Sequence, residues 1–128
     1  MGKLTKNQKA AIAKYDAALK PLGVEVLNHY TDKWESSGHL YLTRIPGITL
    51  DQRNEIIMKM AEHGVACNVH FKPLPMHTAY KNFGFDIADY PNAYAQYVNE
   101  VTLPLNTRMT DEDVEYVISN FVDIINNI

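Results

Sequence analysis

Two short stretches of strict alternation, residues 39–45 and 65–71, flank a helix-like apolar stripe, and this narrows the folds open to the chain. In the first, Leu40 and Leu42 fall on one side and His39, Tyr41 and Thr43 on the other. In the second, Val65, Cys67, Val69 and Phe71 oppose Ala66, Asn68 and His70. A period of two is the signature of a strand with one face covered. Between them, Thr49 and Gln52 have capping-box spacing, and Ile56, Ile57, Met60 and Ala61 make a helical stripe. Gly64 stands where a helix C′ residue belongs.

The remaining segments extend the same pattern. Thr5 and Gln8 form another capping box ahead of Ile12, Tyr15, Leu19 and Leu22, with Pro21 and Gly23 as the stop. Residues 24–30 read as a mixed extended stretch and 31–38 as a loop. Pro46-Gly47 ends the first strand. Residues 77–83 predict a short helix ended by Gly84. Pro91 suits a first helical position, followed by Ala93, Tyr94, Tyr97, Val98 and Val101. Residues 102–105 read as a short extended segment. A last helix opens at Thr110, with a Met109–Val114 staple and a stripe of Val114, Val117, Ile118, Phe121 and Ile125. The expected fold is α/β (α+β): a two-layer sandwich whose small, mostly antiparallel sheet carries helices on one face.

At 128 residues the chain is one domain, 1–128, large enough to bury a core without disulfides or metal. With one Cys it has no internal disulfide, which fits a reducing compartment. No apolar run approaches the ~20 residues of a membrane span. The start, Met1-Gly2-Lys3-Leu4-Thr5, has no leader-like apolar core, and no Asn-x-Ser/Thr site occurs. These features predict a cytoplasmic protein with no membrane partner. The net charge of −3 conceals a basic start (Lys3, Lys6, Lys9, Lys14, Lys20) and an acidic end (Asp111, Glu112, Asp113, Glu115, Asp123). The lysines do not alternate with aromatic residues as a nucleic-acid stacking surface would, so they read as a solvated helix face. Four of the acidic residues sit at a helix start, where the dipole favours them.

Among chemistry-bearing residues, His63, His70 and His77 recur every seven positions near Cys67. On a strand, Cys67 and His70 face opposite sides, and His63 reads as a helix-capping residue, so no zinc site is expected. Cys67 lies with Val65, Val69 and Phe71 and reads as packing. The six glycines never cluster, which excludes a Walker loop or a dinucleotide fingerprint, and no nucleophile elbow occurs. The segment His70-Phe71-Lys72-Pro73-Leu74-Pro75-Met76-His77 stands apart. Two prolines stiffen it and two imidazoles punctuate it. It is either a ligand-pocket wall or a surface loop that tucks Leu74 and Met76 into the core.

The order Ser37-x-His39-Leu40-Tyr41, Arg53, Gly64-Val65-x-x-x-Val69-His70-Phe71-x-Pro73-Leu74, His77, Tyr80, Leu103-Pro104-Leu105 and Thr110-Asp111-Glu112-Asp113 resembles the C-terminal part of the DegT/StrS-type sugar aminotransferases. Those are pyridoxal-phosphate enzymes of the aspartate-aminotransferase fold that move an amino group, usually from glutamate, to a nucleotide-linked keto sugar. The likeness is to members serving bacterial surface polysaccharides and covers nearly the whole chain. It departs at Phe71, where the family commonly has Tyr, and at the inserted Pro75-Met76.

The resemblance implies that this is the small domain, with the Schiff-base lysine and the rest of the cofactor site in an absent large domain. It implies no catalytic, cofactor-binding or metal residue in this chain. His70, Phe71, Lys72, Pro73 and His77 would approach the sugar nucleotide, in some arrangements across a homodimer interface. His39 and Tyr41 would either shape that wall or cover the sheet. The alternative is a free-standing ligand-binding or interaction module that kept the small-domain fold.

Overall fold

The computed structural model describes residues 3–128; Met1 and Gly2, part of the start judged not to be a leader, lie outside them. The elements are α1 (Lys6–Leu19), β1 (Glu25–Val26), β2 (Tyr41–Arg44), α2 (Leu50–Glu62), α3 (Thr78–Asn82), α4 (Pro91–Val98), β3 (Glu100–Leu103) and α5 (Asp111–Asn126). The mixed α/β architecture predicted from the sequence is the one observed. The strands form an antiparallel sheet in the order β1-β2-β3, with Tyr41 opposite Leu103 and Thr43 opposite Val101.

The helix starts are local consequences of sequence. Thr5, Thr49 and Thr110 each accept a bond from the backbone N–H three residues on, and Gln8, Gln52 and Asp113 return the bond to the cap N–H. Each box satisfies two backbone donors that have no partner within the helix. At the end of α2, His63 takes the cap position foreseen for it, and its Nδ1 lies 2.9 Å from the Lys59 carbonyl.

One core joins the layers. Ala11, Ile12, Tyr15 and Leu19 of α1, Ile56 and Met60 of α2, and Val114, Val117, Phe121 and Ile124 of α5 bury against Tyr41, Val101 and Leu103. Tyr41 therefore lies under the helices. It is fully buried, its ring 4.7 Å from that of Tyr15 and its hydroxyl bonded to Asp16 at 2.6 Å. This settles one alternative: Tyr41 covers the sheet rather than shaping a ligand wall, while His39 is exposed.

The strand expected over 65–71 is not formed. Asn68 alone pairs with β3, exchanging backbone bonds with Thr102 at 3.2 and 2.8 Å. The next two donors go to side chains: Val69 N–H to Asn68 Oδ1 at 2.8 Å and His70 N–H to Glu100 Oε2 at 2.9 Å. Alternation supplied the pattern of a strand, but these side chains took its ladder bonds.

Candidate functional site

After Asn68 the chain leaves the sheet edge and returns only at β3. Residues 70–77 open this excursion. The His70–Phe71 peptide is cis. His70 is half-buried and Phe71 is 73% exposed, with the two rings edge to face at 4.6 Å. Pro73 precedes a single 3-10 turn, Leu74–Met76, closed by the His77 N–H on the Leu74 carbonyl at 3.0 Å. His77 then caps α3, and its Nε2 lies 3.3 Å from the Lys72 carbonyl.

The candidate residues thus fall into two local groups, His70 with Phe71 and Lys72 with His77, joined by Pro73. Leu74 is 57% exposed, so it is not tucked into the core as a plain surface loop would have it; Met76 is half-buried. Beyond them lies an apolar groove of about 390 Å³, lined by Pro73, Leu74, Pro75, Tyr80, Phe85 and Tyr90 with Ala93.

His70 is anchored from the sheet. Its Nδ1 lies 2.8 Å from Thr102 Oγ1, and that hydroxyl lies 2.5 Å from Glu100 Oε1. Glu100 and Thr102 are both on β3, 1% and 5% exposed, and alternate with the core residues Val101 and Leu103. Burial raises the Glu100 pKa above the ordinary carboxylate value. Its bonds to Thr102 and the His70 N–H oppose this, as does the Arg53 guanidinium. Arg53 is itself 2% exposed and donates to the carbonyls of Tyr97 and Glu100 at 2.8 and 3.3 Å.

The sequence marks neither Glu100 nor Thr102 as a site residue, and Arg53 enters only as one residue of the family resemblance. The available signals were weak. Glu100 and Thr102 alternate with Val101 and Leu103, and Arg53 sits three residues before Ile56 on the apolar stripe of α2.

The three histidines that recur every seven positions have separate partners. His63 sits on the Lys59 carbonyl, His70 on Thr102 and His77 on the Lys72 carbonyl. Cys67 is half-buried against the core, and burial pushes its thiol up to about 12. Three of the basic residues of α1 and its end pair with carboxylates: Lys9 with Glu35 at 2.7 Å, Lys14 with Glu115 at 2.9 Å, and Lys20 with Asp16 at 3.6 Å. Among the described residues, no helix is long and apolar enough to cross a membrane.

A model of the DegT/DnrJ/EryC1/StrS aminotransferase family matches residues 1–122. The spore coat polysaccharide biosynthesis protein SpsC of Bacillus subtilis is 30% identical over 128 residues, which is 95% of this chain and 32% of SpsC. Spr1654 of Streptococcus pneumoniae, described as a sugar aminotransferase, has been solved in a pyridoxal-phosphate form. It is 47% identical with a TM-score of 0.89, over 94% of this chain and 31% of that one. PseC of Helicobacter pylori, an aminotransferase in pseudoaminic acid biosynthesis, shares the fold at 21% identity and a TM-score of 0.84. The chain spans about a third of the length of these relatives.

Proposed function

Because this chain belongs to the DegT/DnrJ/EryC1/StrS aminotransferase family, we propose that it is the C-terminal small domain of a pyridoxal-phosphate-dependent enzyme that aminates a nucleotide-linked keto sugar. Glutamate is the proposed amino donor, surface polysaccharide or amino-sugar biosynthesis the setting, and the cytoplasm the place. The observation that carries this reading is the match over residues 1–122 to proteins of which the chain spans only about a third.

The domain's own part is to supply one wall of the substrate cleft. His70, Phe71, Lys72, Pro73 and His77 form that wall, and sheet-anchored His70 is its most fixed polar group. The wall is stiff before any ligand arrives, which lowers the ordering cost of binding. Its apolar side is open, with Leu74 57% and Phe85 46% exposed in the groove lining. Large exposed apolar patches mark surfaces that are covered in a larger assembly; the large domain, or a second subunit, is the proposed cover.

The residues present do not fit the cofactor. Pyridoxal phosphate requires a lysine held in a cleft, a cradle for its phosphate and a carboxylate toward its ring nitrogen. All nine lysines are exposed or half-exposed, four of them paired with surface carboxylates. Lys72, the one lysine in the wall, is exposed. No step of the reaction is therefore assigned to this chain.

The test is direct. Purified chain mixed with pyridoxal phosphate, glutamate and a nucleotide-linked keto sugar is expected to show no internal-aldimine absorbance and no amination. After borohydride, mass spectrometry should find no stoichiometric adduct on a single lysine. A specific adduct at one lysine overturns the reading.

A further inference from the structure

The hydrogen bonds around Thr102 have a direction. Its hydroxyl carries one proton and stands 2.5 Å from Glu100 Oε1 and 2.8 Å from His70 Nδ1. The other carboxylate oxygen, Oε2, is already held by the His70 backbone N–H at 2.9 Å, a group that can only donate. With the carboxylate ionised, both of its oxygens accept, so the Thr102 proton goes to Oε1. Oγ1 is then left with lone pairs, and the bond to His70 requires the proton to be on Nδ1. Among the described residues, His70 Nε2 has no protein hydrogen-bond partner.

We propose that Glu100, acting through Thr102, is a positioning residue that fixes His70 as its Nδ1–H tautomer and so presents Nε2 as a bare hydrogen-bond acceptor. The relay runs from a buried carboxylate on β3, through a buried hydroxyl two residues on, to an imidazole at the rim. Resting on the wall reading above, it also defines what His70 takes from a ligand: an O–H or N–H donor such as a sugar hydroxyl, rather than an ionised phosphate oxygen. An acceptor nitrogen facing a phosphate oxygen would set lone pair against lone pair.

Nitrogen NMR of the 128-residue chain with labelled imidazoles tests the relay without any ligand. Near neutral pH, His70 is expected to show a protonated Nδ1 and an unprotonated Nε2. In Glu100→Gln the amide has one acceptor. It keeps its oxygen on the His70 N–H and turns its nitrogen to Thr102, which then donates to Nδ1. The tautomer should invert to Nε2–H. Should that variant not fold, Thr102→Val removes the relay, and His70 should revert to the solvent mixture of tautomers. A wild-type His70 protonated on Nε2, or one whose tautomer is unchanged in the variants, overturns the proposal.

Titration with UDP-glucose, set against inorganic phosphate, reads the second part. A shift of Nε2 with the sugar nucleotide alone supports a donor ligand, and an equal shift with phosphate overturns it. Silence toward both probes overturns the assignment of a donor ligand to His70 of this chain, while the ligand-free spectra decide the relay separately.

Discussion

Arg53, in the second turn of α2, lays its guanidinium 4.6 Å from the centre of the Tyr97 ring and donates to the Tyr97 carbonyl at 2.8 Å. It thereby ties the end of α4 to α2, with a further bond to the Glu100 carbonyl and one to Asn54. Truncation would leave buried carbonyls unpaired and a cavity beside them. Arg53→Ala is expected to cost about 3 kcal/mol or more in a urea titration. Arg53→Lys keeps the charge but not the planar fork, and should recover only part of that loss.

This residue shows how far the sequence could be read. The capping boxes at Thr5, Thr49 and Thr110 were legible because a cap is decided within four residues. The wall at His70 was legible as a segment, since its prolines and imidazoles are contiguous. Its anchor was not, because Glu100 and Thr102 lie thirty or more residues further along and meet His70 only through the Asn68 bridge. The failed strand over 65–71 has the same origin: a Glu100 oxygen replaces a ladder carbonyl. Tyr41 was placed on the polar face by the alternation of its neighbours, yet its ring buries while its hydroxyl finds Asp16. An amphipathic side chain can satisfy both demands.

Gly38 and Gly47 form a matched pair of probes. Both have positive φ, +66° and +85°. A Cβ at Gly47 would meet nothing within 4 Å, whereas one at Gly38 would run into Leu4 Cδ2 and stand 2.8 Å from Gln8 Nε2. Gly47→Ala should therefore cost only the backbone strain, about 1 kcal/mol. Gly38→Ala adds overpacking and should reach roughly 2–4 kcal/mol. Thermal melts of the two variants side by side check the ordering.

Cys67 should be a slow thiol. With its pKa raised by burial to about 12, little thiolate is available at pH 8. Alkylation by iodoacetamide under native conditions is expected to run roughly 100- to 1000-fold slower than in urea, where the thiol regains its ordinary acidity. Equal rates in the two conditions would show that the thiol is not held in the core.

His29 should give the fold an acid-sensitive element. The ring is 6% exposed and stacks on Tyr41 with centroids 5.4 Å apart. Nδ1 meets Ser36 Oγ at 3.0 Å, while Nε2 is buried without a hydrogen-bond partner among the described residues. Burial holds its pKa below the ordinary 6.5, and the nearby Asp16 carboxylate only partly offsets this. The unfolded imidazole therefore takes up a proton at a pH where the folded one does not. Between those two values the unfolded state binds more protons, so stability falls as the pH falls. The slope from this group is at most about 1.4 kcal/mol per pH unit. Above 6.5 the contribution is fully present; below the folded-state value the loss levels off. Urea midpoints followed from pH 7.5 down to pH 5 should show this decline, and His29→Gln should flatten the part that begins near 6.5. An unchanged profile in the variant would assign the acid sensitivity to another group.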